Sequence, residues 1–272
     1  MNTILFLTDF SETARKSLFY GLALYQNEKC TCHLVHTMYL PYSRENESAS
    51  PVDVRTEGAR AELKRLKAEI DEMFPGHLFR IITDIVNGEV PAVAKLMIER
   101  NGVDLIVMGT HGMSAVAEMF LGSNTASLIR QVDCPVLAVP MDYEWEQPTR
   151  MVLAWDEDQG LMEYVLQPFV SLAKKLGAAV TVVHIGKEME PVDSEQFSNI
   201  WRYTESLNAK YLTAFSDNVY DGLDGFVKSS GAQILGIINQ KLGFMGQLFH
   251  KSLTRKMAFS TKIPLLIMSH RK

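Results

Sequence analysis

Several features that mark common protein classes are scarce in this chain of 272 residues. Positive charge is in deficit: 27 Lys and Arg stand against 32 Asp and Glu, a formal net charge of -5. Nucleic acid and anionic membrane surfaces are not attracted to such a chain, and no basic arm or run of five like charges alters that. Cysteine is sparse. Cys30, Cys32 and Cys134 are too few for a disulfide framework and fit a reducing compartment. Long apolar runs are missing too. No stretch approaches the roughly 20 apolar residues that cross a bilayer. The first apolar run stops at Leu7 with no Lys or Arg before it, short of a secretion signal. These absences lead us to expect a cytoplasmic protein that binds neither nucleic acid nor membrane.

What is present is the balance of a globular protein, with 47% apolar and 22% charged residues and enough length for two domains. Thr3–Thr8 (TILFLT) suits a buried strand, and Ser11–Tyr25 reads as a helix with Ala14, Leu18, Leu22 and Tyr25 on one face. Cys32–Met38 is a second strand, followed by a polar loop around Pro41–Pro51. Ala59, Leu63, Leu66, Ile70 and Met73 mark one face of the next helix. Phe79–Val86 and Asp104–Met108 read as strands three and four, with a helix over Val90–Arg100 between them. Thr125–Gln131 lies in a fourth helix and Pro135–Val139 is a fifth strand. Strands and helices alternate, and strands that are apolar throughout are what a parallel sheet covered on both faces requires.

The pattern then restarts. Arg150–Asp156 matches Thr3–Asp9 at an offset of 147, and Val180–Gly186 matches Cys32–Met38 at 148. Ile263-Pro264-Leu265-Leu266 matches Cys134-Pro135-Val136-Leu137 at 129, so the second copy is shorter between its second and fifth strands. The expected organisation is a first domain over residues 1–140, a linker over 141–149 and a second domain over 150–272. Each domain is expected to be a doubly wound α/β fold with a five-stranded parallel sheet flanked by helices.

Between the fourth strand and fourth helix stands Gly109-Thr110-His111-Gly112, then nine residues, then Gly122-Ser123-Asn124-Thr125. Glycines at a strand exit and at a helix start let backbone N–H groups approach a ligand, and hydroxyls at Ser123 and Thr125 add donors. Such a cradle suits phosphate oxygens, and in a doubly wound sheet it lies at the carboxyl ends of the strands, where ligands collect. Here the chain resembles the universal stress protein family, specifically its ATP-binding branch. Thr8-Asp9-Phe10-Ser11 and Cys134-Pro135-Val136-Leu137 also look like that family's ends.

The resemblance implies a Rossmann-like fold related to the adenine nucleotide α-hydrolases. It implies that Gly109, Gly112, Gly122, Ser123 and Asn124 contact the phosphates of ATP or a related adenine nucleotide, that Asp9 reaches the ribose or polar edge, and that backbone near Thr37 meets the adenine. Thr8, Met108, His111 and Thr125 are expected in the same nucleotide site, and because the cradle is built from neutral donors a Mg²⁺ bridging the phosphates is a candidate companion. Single-copy relatives commonly pair through their last strands, which implies a pseudo-dimer within this chain, and a homodimer beyond it.

Other readings of the same residues stay open. Asp9 with Glu12 forms a helix capping box; the glycines serve as loop punctuation; His111 is a solvated loop histidine. His36 and His184, each ending an apolar strand, are buried histidines with backbone partners. Cys30-x-Cys32 lacks a second ligand pair and reads as packing thiols. His184-Ile-Gly-Lys187 lacks the last histidine of an HIGH signature, and Lys251-Ser252 has no glycine run of a P-loop before it.

In the second copy Gly109, Gly112 and Gly122 become Ile238, Lys241 and Lys251, while Asp156, Ser252 and Thr254 persist. That half reads as structural or regulatory. With no P-loop lysine, and Asp9 the evident carboxylate, the expected function is a nucleotide-dependent stress or regulatory protein with unidentified protein partners and no assigned catalytic residue. An interaction scaffold with vestigial sites and a slow ATPase are the alternatives.

Overall fold

The structure is a computed structural model that describes residues 2–38, 51–110, 123–155, 163–186, 197–240 and 262–270. By its internal contacts the chain divides into two compact units, Met1–Cys134 and Pro135–Lys272.

The first unit holds strands β1 (Asn2–Thr8), β2 (Cys30–Met38), β3 (Arg80–Asn87) and β4 (Leu105–Gly109) and helices α1 (Glu12–Tyr25), α2 (Pro51–Met73), α3 (Val90–Asn101) and α4 (Ser123–Gln131). The strands are all parallel in the order β3-β2-β1-β4. Central β1 and β4 are covered on both faces, and Ile4, Leu5, Phe6, Ile106 and Val107 are buried accordingly. Strand β3, at the edge, is half exposed along its length. Helix α2 turns Ala59, Leu63, Leu66 and Ile70 inward as its spacing predicts, and burial of each of the Leu and Ile side chains contributes about 1.5–3 kcal/mol. Met73, assigned to the same face, is 56% exposed, because it is the last helical residue and the chain turns away after it.

The second unit holds β5 (Val136–Val139), β6 (Arg150–Ala154), β7 (Ala179–Gly186), β8 (Lys210–Phe215), β9 (Ile234–Gln240) and β10 (Leu265–His270), with α5 (Glu163–Leu176), α6 (Ser198–Thr204) and α7 (Val219–Ser230). Five strands run parallel in the order β10-β9-β6-β7-β8. Strand β5, which ends the first copy in sequence, pairs antiparallel with β10, Leu137 opposite Leu266. This is the pairing foreseen for the last strands of the two copies.

Register carries the duplication into three dimensions. Ile4 pairs with Leu105 in the first unit, and Met151 with Ile234 in the second, at the same offsets that align the sequences. The amino ends of the strands are tied alike. Thr3 N–H donates to Asp104 Oδ2 at 2.8 Å, and Arg150 N–H to Gln233 Oε1 at 3.1 Å. Core volume is redistributed, however. In the first unit Gly21 of α1 leaves room for Phe6 and Val107, whose atoms would lie 2.5 and 3.0 Å from an added Cβ. In the second, the strand side carries Leu153 and Gly236, and the ring of Phe169 on α5 fills the gap, 2.5 Å from where a Cβ on Gly236 would stand.

Candidate functional site

The strand order makes the gap between β1 and β4 the point where the chain's winding reverses, and ligands of doubly wound sheets bind there, beyond the carboxyl ends. The ladders show the gap opening. Strands β1 and β2 stay paired through Thr8 and His36, whereas the β1–β4 ladder stops at Phe6 and Val107, two residues before either strand ends. Thr8 and Gly109 are the last residues of these two strands. Met108 and Thr8 are buried, and Thr37 is half-buried near the end of β2.

Gly109 has a structural cause of its own. A Cβ there would lie 2.5 Å from Thr13 Cγ2 and 3.1 Å from the Thr13 carbonyl carbon and oxygen. The absent side chain is the space through which the first turn of α1 crosses β4. Sequence spacing alone assigned this glycine to the ligand.

The loop from β1 to α1 is hydrogen-bonded residue by residue. Phe10 N–H donates to Thr8 Oγ1 at 3.0 Å, and Ser11 N–H to Asp9 Oδ1 at 3.0 Å. The capping box expected at Asp9 and Glu12 is not formed. Ser11 is the N-cap, its Oγ accepting from Ala14 N–H at 3.2 Å. The reason lies in Phe10, whose φ of +65° turns the chain before the helix begins and gives the cap to the residue after it.

His36 holds the other side of this loop. Its Nδ1–H donates to the Thr8 carbonyl at 2.8 Å, which fixes the ring's tautomer, and its ring lies 4.4 Å from that of Phe10. The backbone partner expected for His36 is present, although the residue is half-buried and not sealed in the core. Phe10 and His36 were not among the candidate ligand residues, since an aromatic residue carries no sign in sequence that its backbone is left-handed.

On the far side of the gap, Thr125 Oγ1 donates to the Gly109 carbonyl at 2.9 Å, and Thr125 is 2% exposed. Its hydroxyl proton therefore serves the fold by tying the first turn of α4 to the end of β4. Ser123 and Asn124, in the same turn, are exposed. His111, Gly112 and Gly122 lie outside the described residues. No group of three His, Cys, Asp or Glu side chains suited to a metal ion occurs among the described residues. Cys30 and Cys32 are buried, with sulfurs 3.8 Å apart, too long for a disulfide bond.

The second unit parts at the same place, the β6–β9 ladder stopping at Leu153 and Gly236, the counterparts of Phe6 and Val107. It differs in its residues: Ile238, in the place of Gly109, lies within β9, opposite Met268. His184 Nδ1–H donates to the Trp155 carbonyl at 3.2 Å, the counterpart of the bond from His36, with a buried tryptophan in place of Thr8. Asp156, Lys241, Lys251, Ser252 and Thr254 lie outside the described residues. No described helix is long and apolar enough to cross a membrane.

The chain is similar to known proteins in sequence and in fold. Residues 1–140 match the model of the universal stress protein family. The chain is 29% identical over 154 residues to a universal stress protein of Methanocaldococcus jannaschii, covering 50% of this chain and 93% of that protein. Among solved structures, a universal stress protein of Archaeoglobus fulgidus covers 98% of both chains with a TM-score of 0.70 at 16% identity. A functionally unknown protein of Pseudomonas aeruginosa covers 99% of this chain and 92% of its own with a TM-score of 0.61 at 13% identity. Those two likenesses extend the shared fold over nearly the whole length. With its first 140 residues matching the family model, the chain belongs to the universal stress protein family.

Proposed function

We propose that the chain binds an adenine nucleotide, ATP or its ADP or AMP relatives, in its first unit and acts as a nucleotide-dependent stress or regulatory protein. The observation that carries this is the first turn of α4, moored by Thr125 to the Gly109 carbonyl beside the gap where β1 parts from β4 after Phe6 and Val107. The N–H groups of a helix's first turn have no partner within the helix, and its dipole favours an anion, so phosphates are the natural occupant. Gly109, Gly112 and Gly122 would bring backbone close to those phosphates, with His111, Ser123 and Asn124 beside them. Asp9 would meet the ribose or polar edge and Thr37 backbone the adenine, with Thr8 and Met108 at the strand ends bordering the same site.

A Mg²⁺ ion would be held chiefly by the nucleotide's own phosphates, because Asp9 is the one carboxylate in this set of residues. Bound nucleotide would change the surface that protein partners meet, and differential affinity for the two states would make the interaction nucleotide-dependent.

Thermal-shift titration with ATP, ADP and AMP tests the proposal, on wild type and on Gly122→Lys, which installs the residue found at Lys251 in the second copy. Wild type is expected to gain a few degrees at saturation, and the variant none. No shift in wild type would refute nucleotide binding and favour a scaffold with vestigial sites. Equal shifts would move the ligand elsewhere.

A further inference from the structure

Phe10 occupies a backbone conformation that its side chain disfavours. Its φ of +65° is in the left-handed region, where a bulky residue is an outlier and glycine or asparagine is the ordinary occupant. Asn208, the other described non-glycine residue there, merely ends a short 3-10 turn. Phe10 is held by more. Its N–H donates to Thr8 Oγ1 at 3.0 Å, and its ring lies on His36, whose imidazole is itself fixed to the Thr8 carbonyl at 2.8 Å. The consequence falls on Asp9. The left-handed turn brings the N–H of Ser11 back onto Asp9 Oδ1, so the carboxylate is oriented by the residue two places after it. Strain of this kind persists where the surroundings over-determine it, and it collects at ligand clamps.

We propose that Phe10 is a positioning residue of the nucleotide site: its ring, braced on His36, holds the left-handed turn that aims the Asp9 carboxylate at the bound nucleotide. The inference rests on nucleotide binding in the first unit. The second copy supports a division of labour between ring and imidazole. There the matching position is Glu157, yet His184 keeps its bond to the strand-end carbonyl. The imidazole tie serves the sheet in both copies; the aromatic ring accompanies the glycine motif alone.

The experiment is calorimetric titration of ATP and ADP into the full-length wild type, Phe10→Gly and Phe10→Tyr, with unliganded thermal stability measured on each. Glycine adopts the turn without strain, so Phe10→Gly is expected to be at least as stable as wild type. It is nonetheless expected to bind ATP roughly tenfold or more weakly, because Asp9 is no longer preorganised. Phe10→Tyr keeps the ring and is expected to bind within about threefold of wild type. Phe10→Asn, whose side chain also tolerates the left-handed region, repeats the test if glycine loosens the loop. Tight binding by both the glycine and asparagine variants overturns the proposal while the nucleotide site stands. A wild type that binds neither nucleotide removes the site itself, and this role with it.

Discussion

The two copies agree at one end of their sheets and disagree at the other. At the amino ends of the strands, Asp104 and Gln233 hold the starts of β1 and β6, and Gly102 and Gly231 close α3 and α7 with the same φ of 62°. At the carboxyl ends the ladders part alike, but Gly109 is replaced by Ile238, Thr8 by a buried Trp155, and Phe10 by Glu157. Only the second end is where a doubly wound sheet receives ligands. Scaffold and site are thus separable within one duplicated unit: the half that surrendered the glycine motif kept its registers and its clamps. That is the pattern expected if the motif was held for a ligand and the amino ends for stability.

The sharpest way to break this comparison is to install second-copy residues at the first copy's carboxyl end. Gly109→Ile places a Cβ 2.5 Å from Thr13 Cγ2 and 3.1 Å from Thr13 backbone atoms, which cannot swing aside as a side chain would. We expect a loss of roughly 3 kcal/mol or more in urea unfolding, the upper end of overpacking costs. A Gly109→Ile protein as stable as wild type would mean that α1 does not press on β4 here. The redistributed core offers a milder version. Gly236→Val, which installs the residue at Val107, meets the Phe169 ring and is expected to cost about 2 kcal/mol. Trimming that ring by Phe169→Leu in the same chain should recover part of the loss, a coupling that a double-mutant cycle measures.

The amino-end clamps should prove similar in kind but unequal in size. Gln233 is buried, and its Oε1 accepts from Thr149 N–H, Thr149 Oγ1 and Arg150 N–H, at 2.7, 3.1 and 3.1 Å. Asp104 accepts from Thr3 N–H in an exposed setting. Gln233→Ala therefore leaves several donors without that acceptor and is expected to cost about 2 kcal/mol, against about 1 kcal/mol for Asp104→Ala. Amide exchange is the direct check. Arg150 N–H should lose more protection in the first variant than Thr3 N–H does in the second.

The parallel sheets, the helix order and the duplication were legible in sequence because each rests on a local pattern. The apolar runs at Thr3–Thr8 and Arg150–Ala154 set buried strands, and their common offset reappears as paired register. The carboxyl-end details were legible in part. Asp9 with Glu12 reads as a capping box, and that Ser11 caps the helix instead depends on a left-handed phenylalanine that no local pattern announces. Gly109 looked like ligand space, whereas its need for a bare Cα comes from Thr13, a contact made by packing between elements distant in sequence. Thr125 read as a ligand hydroxyl, and its proton is spent on a carbonyl sixteen residues earlier. What escaped the sequence was tertiary in origin.

The smallest expected effect separates the copies by pH. His33 lies on β2 opposite Leu5, and the matching residue opposite Val152 on β7 is Thr181, which does not titrate. Burial lowers the pKa of His33 below its ordinary value of 6.5; Arg80 pushes the same way, and Asp84 partly opposes. The unfolded chain therefore takes up this proton at higher pH than the folded chain does. Well above pH 6.5 neither state binds it and His33 contributes no slope; as pH falls through that value the unfolded state takes up the proton first and stability declines. Urea midpoints at pH 7.5 and 5.5 test this, with His33→Thr carrying the second copy's residue. Every other ionisable group is common to both proteins, so the difference between the two slopes reports His33. Wild type should lose more stability on acidification than the variant; identical losses would show that burial of this imidazole does not distinguish the two halves.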